Sequence, residues 1–351
     1  MRLRPAYRLG IDLAFAAAVM GIADSTSAQH TQRPSDKPIV VTVGNFVRAE
    51  SDLYFGRYVK RGAFGKFFHE RTMTPIDKQD IVRMNRDTLY SFAIFDLDAA
   101  PVTVTLPDAG KRFMSMQVLS EDHYTVEVVY APGRFSYDKN KVGTRYVFLG
   151  VRTLANPDDQ ADVNAAHALQ DAIKVHQART GAFDVPTWDT ASQNKVRAAL
   201  ETLNTLGAPS PKFGKKSEVD PVGYLVGAAV GWGGNPEYAA IYQGVYPKQN
   251  DGKTVHRVTV KDVPVDGFWS ISVYNAKGFF EKNGLGAYSL NNLTAKPNPD
   301  GSYTIQFGGC QKGSVNCLPI MPGWNYTVRL YRARKALLDG TWHFPEAQPA
   351  R

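Results

Sequence analysis

"RMNRDTLYSFAIFDLD", residues 83–98, decides how the chain is read. In an extended backbone Leu89, Ala93 and Phe95 fall on one side and Tyr90, Phe92 and Ile94 on the other. Both sides are apolar, as in a strand buried between two layers. A polar triplet, Asn85-Arg86-Asp87, stands at the mouth of that strand. One reading makes Asp87 an acid, base or ligand, with Arg86 holding a substrate anion and Asn85 assisting. The plainer reading is a strand-entry turn, in which Asn and Asp bond their own backbone.

Around this strand the texture is β-rich. "PVTVTLP", "RFMSMQVLS", "YTVEVVYA" and "TRYVFLGVRT" are short runs broken by Pro, Gly and Asp turns, the spacing of a sandwich or barrel. Residues 156–179 switch to helical texture, with Asn156-Pro157 as cap and first position. A second helix is expected over 190–206, ending at Gly207, and residues 208–221 read as a connector. "NPEYAAIYQGVY", residues 235–246, reads as a short helix capped by Asn235. Strand runs return over 254–332. The expected fold is mainly β (α+β): two antiparallel β-sandwich or jelly-roll-like units with intervening helices. The boundaries are a leader at 1–28, an N-terminal sandwich at 39–180, a helical connector at 181–245 and a C-terminal sandwich at 246–346.

Composition sets the compartment and the partner classes. The opening carries Arg2, Arg4 and Arg8, then the apolar run "LAFAAAVMGIA", then small residues around Ala28, the three-part layout of a secretory signal. The run is too short to span a bilayer, and no other span is expected once it is cleaved. A periplasmic or secreted location follows. There Cys310 and Cys317 would pair as a disulfide. The net charge of +8 is dispersed, with Lys215-Lys216 and Arg332, Arg334 and Lys335 as its densest spots. Nucleic-acid binding normally shows a clustered stripe, so no nucleic-acid partner is expected.

"MNRDTLYS", "DLDAAPVTVTLP", "SEDHYTVEVVYAPGRF" and "VGTRYVFLGVRT" resemble the bacterial domain of unknown function 1254. "VDGFWSISVYNAKGFF", "NPDGSYTIQF" and "LPIMPGWNYTVRLYRARKALLDGTWHFP" resemble its usual C-terminal companion, domain of unknown function 1214. The resemblance implies exported bacterial proteins built of jelly-roll-type domains and carries no settled activity. Met84 stands where the family commonly has an aromatic, and Cys317 where it often has a bulky residue.

Four constellations could carry chemistry. The triplet is the first. In "SEDHYTVEVVY" an extended strand would put Glu121, His123, Thr125 and Glu127 on one face, for acid–base work or, with Glu121, His123 and Glu127 as ligands, a divalent metal. A wet outer face of charges is the plainer alternative. Asp87 with Glu121 or Glu127 could form the carboxylate pair of a glycosidase. Trp232, in "GWGGNP", and Trp269 could stack on sugar rings, or simply fill cores. The leading expectation is binding or hydrolysis of a saccharide-like polar substrate. Asp87, His123 and Glu127 would do acid–base work, and Asn85, Arg86, Tyr124, Trp232 and Trp269 would bind. The rival is a non-catalytic envelope module that binds or self-associates as a homo-oligomer.

Overall fold

The computed structural model describes residues 37–79 and 82–350; the expected leader lies outside them. Pro38–Arg351 form one compact unit. Its first half runs α1 (Phe46–Lys60), β1 (Phe68–His69), β2 (Thr88–Asp96), β3 (Val102–Leu106), β4 (Met114–Ser120), β5 (Thr125–Tyr130), β6 (Gly133–Tyr137), α2 (Lys139–Val142), β7 (Tyr146–Leu154), α3 (Gln160–Asp171) and β8 (Lys174–Gln177). Two helices follow, α4 (Thr190–Thr205) and α5 (Pro221–Gly231). The second half runs β9 (Ala240–Val245), β10 (His256–Val260), β11 (Trp269–Tyr274), β12 (Ser289–Asn291), β13 (Tyr303–Phe307), β14 (Cys317–Leu318), β15 (Asn325–Tyr331), α6 (Lys335–Leu338) and β16 (Gln348–Pro349).

The two apolar faces of β2 dictate three layers. β2 lies inside the sheet β1-β2-β7-β4-β5. Ala93 and Phe95 pack with Val102 and Val104 of β3 in the core facing the smaller sheet β6-β3-β8. Phe92 and Ile94 point the other way, into a cluster with Phe55 of α1 and Phe148 of β7. α1, α4 and α5 form the third layer around Phe46, Val47, Leu200 and Val226. The second half is a sandwich of β12-β11-β15-β9 and β14-β13-β10-β16, closed around Trp269, Ile271, Ile305, Phe307, Tyr326 and Val328. The fold is therefore mainly antiparallel β with a few helices, and the Cys310–Cys317 disulfide is formed.

Three sequence expectations change. The helix expected over 156–179 stops at Asp171, and Lys174–Gln177 become a strand against β3, where Val175 joins the core. "AIYQGV" is strand β9 rather than helix, because the whole run pairs with β15 and buries Val245 in the sandwich. The connector of 181–245 therefore ends before β9. The unexpected helix is α5, capped by Asp220 with Pro221 in its first turn. Its glycines permit close packing: a Cβ on Gly223 would stand 2.4 Å from the Pro209 carbonyl oxygen.

Candidate functional site

Strand alternation gives the second sandwich a second face. Tyr326, Val328 and Leu330 of β15 point into its core, so Asn325, Thr327, Arg329 and Tyr331 point out. Ser270, Ser272 and Tyr274 of β11 share that outer face. It is polar, yet Ser270, Ser272 and Asn325 are 0% exposed and Arg329 only 3%. What covers it is the segment before β2 and the polar end of the first sheet.

The triplet lies in this seam. The Asn85 side chain accepts from the Asp87 amide at 2.7 Å and donates to the Tyr331 hydroxyl at 3.1 Å. Asp87 is fully buried, and Asn291 of β12 donates to its Oδ1 at 3.2 Å. Its Oδ2 has the Ser270 hydroxyl alongside but no bond of normal geometry. Burial raises the Asp87 pKa, and Arg329, Ser270, Asn291 and Arg86 pull it back only in part. Arg86 does not pair with Asp87; it donates to the Thr74 carbonyl and lies over the Tyr288 ring. Arg329 donates to Ser272 Oγ at 2.9 Å, the Tyr274 hydroxyl at 2.7 Å and the Arg83 carbonyl at 2.7 Å.

Opposite, the first sheet contributes Arg152 of β7. It stands directly across from Tyr90 of β2, with its guanidinium 5.5 Å from that ring centroid. It donates to Gln117 Oε1 of β4 at 3.0 Å, and lies 3.5 Å from both Asn235 Oδ1 and the Gly233 carbonyl. Asn235 in turn donates to the Tyr242 hydroxyl of β9 at 3.0 Å. Among the described residues no carboxylate lies within ion-pairing distance of Arg152, Arg329, Arg83 or Arg86. Burial works against the charge on Arg152 and the phenol oxygens of Tyr90, Tyr242 and Tyr331 work for it, leaving its pKa raised. Burial, with Tyr242 and Tyr90 beside it, pushes the Tyr331 phenol well above its ordinary value. Tyr90, Tyr242 and Tyr331 thus gather around the Arg152 guanidinium, and Tyr331 and Asp87 lie by that of Arg329.

The rest of the expected constellation does not converge here. The strand assumed through "SEDHYTVE" is broken: β4 ends at Ser120, β5 begins at Thr125, and His123 sits between them at φ 64°. This tight turn, closed by the His123 amide on the Ser120 carbonyl at 2.9 Å, scatters the face that alternation would have made. Glu121 turns to Arg48 at 3.6 Å, and Glu127 pairs with Lys141 at 2.7 Å. Neither meets Asp87, so no glycosidase-type carboxylate pair forms, and Glu121, His123 and Glu127 do not converge as metal ligands. His123 is buried against Trp232, Phe213 and Tyr224. Burial lowers its pKa to about 3, so the ring is neutral. Its Nε2 accepts from the Gly233 amide at 2.8 Å, making His123 a support for the loop that faces Arg152.

The aromatic candidates divide likewise. Trp269 is 4% exposed and belongs to the sandwich core. Trp232 stacks on Tyr54 at 4.5 Å and donates to Ser51 Oγ at 3.2 Å, beneath the glycine loop rather than in the seam. Tyr124 stacks on Tyr224 at 4.6 Å. Sequence reasoning missed Arg152, Tyr242, Arg329 and Tyr331. The available signal was alternation: "YTVRLY" reads as a strand with Tyr326, Val328 and Leu330 inside and an arginine on its other face. Two open clefts, about 490 Å³ around Gly284 and Gln311 and about 320 Å³ around Arg257 and Lys296, share no residue with the seam.

Residues 64–142 match the family described as "Protein of unknown function (DUF1254)", and residues 238–335 match "Protein of unknown function (DUF1214)". The second match begins just before β9, where the second sandwich begins. The fold is similar to the crystal structure of the VPA0106 protein from Vibrio parahaemolyticus, at a TM-score of 0.62 and 18% identity over 88% of this chain and 97% of that one. It is also similar to a putative uncharacterized protein from Burkholderia cenocepacia, at 0.50 and 15% over 84% of each. No curated protein matches the chain by sequence.

Proposed function

We propose that this chain, which belongs to the family in which a DUF1254 segment precedes a DUF1214 segment, binds a small polar molecule carrying an anionic oxygen group in the seam between its two halves. One observation carries the reading: Arg152 is half-buried among neutral oxygens and a phenol ring, with no carboxylate partner among the described residues. A guanidinium in low dielectric without a counter-charge is costly, and a planar oxyanion matches its fork. Tyr90 and Tyr242 flank it and can donate or stack. A sugar acid meets these demands, its carboxylate on Arg152 and its ring against a tyrosine. Asp87 is the one carboxylate among the proposed site residues, which supports binding over two-carboxylate hydrolysis. Export to an oxidising compartment belongs to the same reading, supported by the Cys310–Cys317 bond and the leader-like opening.

The test is calorimetric titration with galacturonate and with galactose, its neutral counterpart. Wild-type protein should bind the acid and not the neutral sugar, and Arg152→Lys should weaken binding by roughly tenfold or more through loss of bidentate contact. Equal binding of both sugars, or undiminished affinity in Arg152→Lys, overturns the reading.

A further inference from the structure

Arg152 is not alone along the seam. The Arg332 guanidinium lies 4.4 Å from the Tyr130 ring centroid, and that of Arg83 lies 5.4 Å from the Tyr246 ring centroid. Neither has a carboxylate within ion-pairing distance among the described residues. With Arg152 over Tyr90 this makes three arginine–tyrosine pairs. Their order follows from strand register. The Arg332 amide bonds the Ala239 carbonyl at 2.9 Å, Arg329 stands opposite Tyr242, and Tyr326 stands opposite Val245, next to Tyr246. Arg152 reaches the middle of this line through Asn235 and the Tyr242 hydroxyl. β9 is the edge strand of its sheet, and it orders the pairs as Arg332–Tyr130, Arg152–Tyr90 and Arg83–Tyr246. At ~3.3 Å per residue, the run from Ala239 to Tyr246 spans about 23 Å, longer than one sugar ring.

The line is also open. Tyr242 is 43% exposed and Tyr246 is 64% exposed. Gly244, exposed between them on the same face, leaves bare backbone in the gap. Exposed aromatic rings alternating with unpaired guanidiniums, along an edge rich in amide and hydroxyl groups, complement a chain of ring-shaped units that each carry an anion.

Resting on the reading of Arg152 given above, we infer that the seam along β9 is a track for an extended acidic polysaccharide, with Tyr242 and Tyr246 stacking on separate sugar rings of one chain and Arg332, Arg152 and Arg83 meeting its carboxylates. A single-stranded nucleic acid is also a ring-bearing polyanion. The oxidising compartment that a disulfide needs favours the polysaccharide.

The experiment is titration of the full chain with mono-, tri- and hexagalacturonate and with an oligothymidylate of similar length. Affinity should rise by roughly tenfold or more from monomer to hexamer, as linked sites engage. In Tyr246→Ala, and separately in Arg332→Ala, the hexamer-to-monomer affinity ratio should fall toward one. Both positions are exposed, so neither substitution threatens the fold. Equal affinity for monomer and hexamer overturns the track and leaves the Arg152 site standing. Binding of neither uronate overturns both readings. Tighter binding of the oligothymidylate overturns the polysaccharide assignment.

Discussion

Arg152 and Tyr90 face one another across adjacent strands, guanidinium over phenol ring at 5.5 Å, at the end of a sheet face whose other end is aromatic. The same face carries Phe92 and Phe148 under α1 and then changes to Tyr90, Arg152 and Gln117 where it meets the second sandwich. That change of character is how one sheet serves both as a core wall and as half of a site.

Arg152 is held by neutral oxygens and phenols rather than by a counter-charge, so losing its charge together with its desolvation should cost the fold little. Arg152→Met keeps an unbranched apolar stem and removes the charged head. The melting temperature should stay level or rise, equivalent to about 1 kcal/mol of added stability, while uronate binding disappears. Scanning calorimetry with and without galacturonate reads both effects. A drop of several degrees without ligand would mean that Arg152 is a structural strut.

Asp87 separates two consequences of burial. Asp87→Ala leaves the Asn291 amide without its buried acceptor and should cost about 1–3 kcal/mol in urea unfolding. Asp87→Asn removes a desolvated carboxylate but can still meet Asn291 through its amide oxygen, and should stay within about 1 kcal/mol of wild type. Equal losses in both would show that the charge itself, facing Arg329, holds the seam.

His123 sets a pH dependence of known sign. Its pKa is about 3 in the folded protein against an ordinary 6.5, so the unfolded chain takes up a proton that the folded chain refuses. Its contribution is complete above pH 6.5 and is lost as pH falls toward 3. Glu121, raised by burial, has the opposite sense: its burial disfavours the fold progressively as pH rises above the ordinary glutamate range. The comparison with His123→Asn isolates the histidine, because asparagine tolerates the left-handed backbone at this position. Stability of wild type relative to His123→Asn should decline between pH 6.5 and 4 in urea titrations. A flat difference would contradict the neutral, buried ring.

The glycines of α5 can be ranked. Gly223→Ala drives a Cβ to 2.4 Å from the Pro209 carbonyl and should destabilise by about 1–3 kcal/mol. Gly231→Ala meets only the Phe213 ring edge at 3.4 Å, and should be neutral or stabilising by up to about 1 kcal/mol. Chemical denaturation of the two variants checks the ranking, and equal effects would refute the close helix–loop approach.

Patterning of period two made much of the fold legible. The two apolar faces of "TLYSFAIFDL" announced a strand between layers, and Ala93 and Ile94 do point into different cores. The Cys310–Cys317 pairing was legible from the short spacing of the two cysteines and the leader-like opening. The site was legible in half. The triplet lies in the seam, but its partners Arg329, Tyr331 and Asn291 come from strands about 200 residues later, and local pattern carries no information about such pairing. "SEDHYTVE" misled because period two presumes an unbroken strand, while the left-handed backbone at His123 resets the alternation. Trp269 looked like a ligand platform because a tryptophan that fills a core has the same letters on either side of it.

The most direct measurement is a crystal structure of the full chain soaked with galacturonate. Its carboxylate should lie within hydrogen-bonding distance of the Arg152 guanidinium, with the sugar ring against Tyr90 or Tyr242. Density for the sugar in the cleft lined by Arg257 and Lys296, with Arg152 still bound only by Gln117, Asn235 and Gly233, would contradict it.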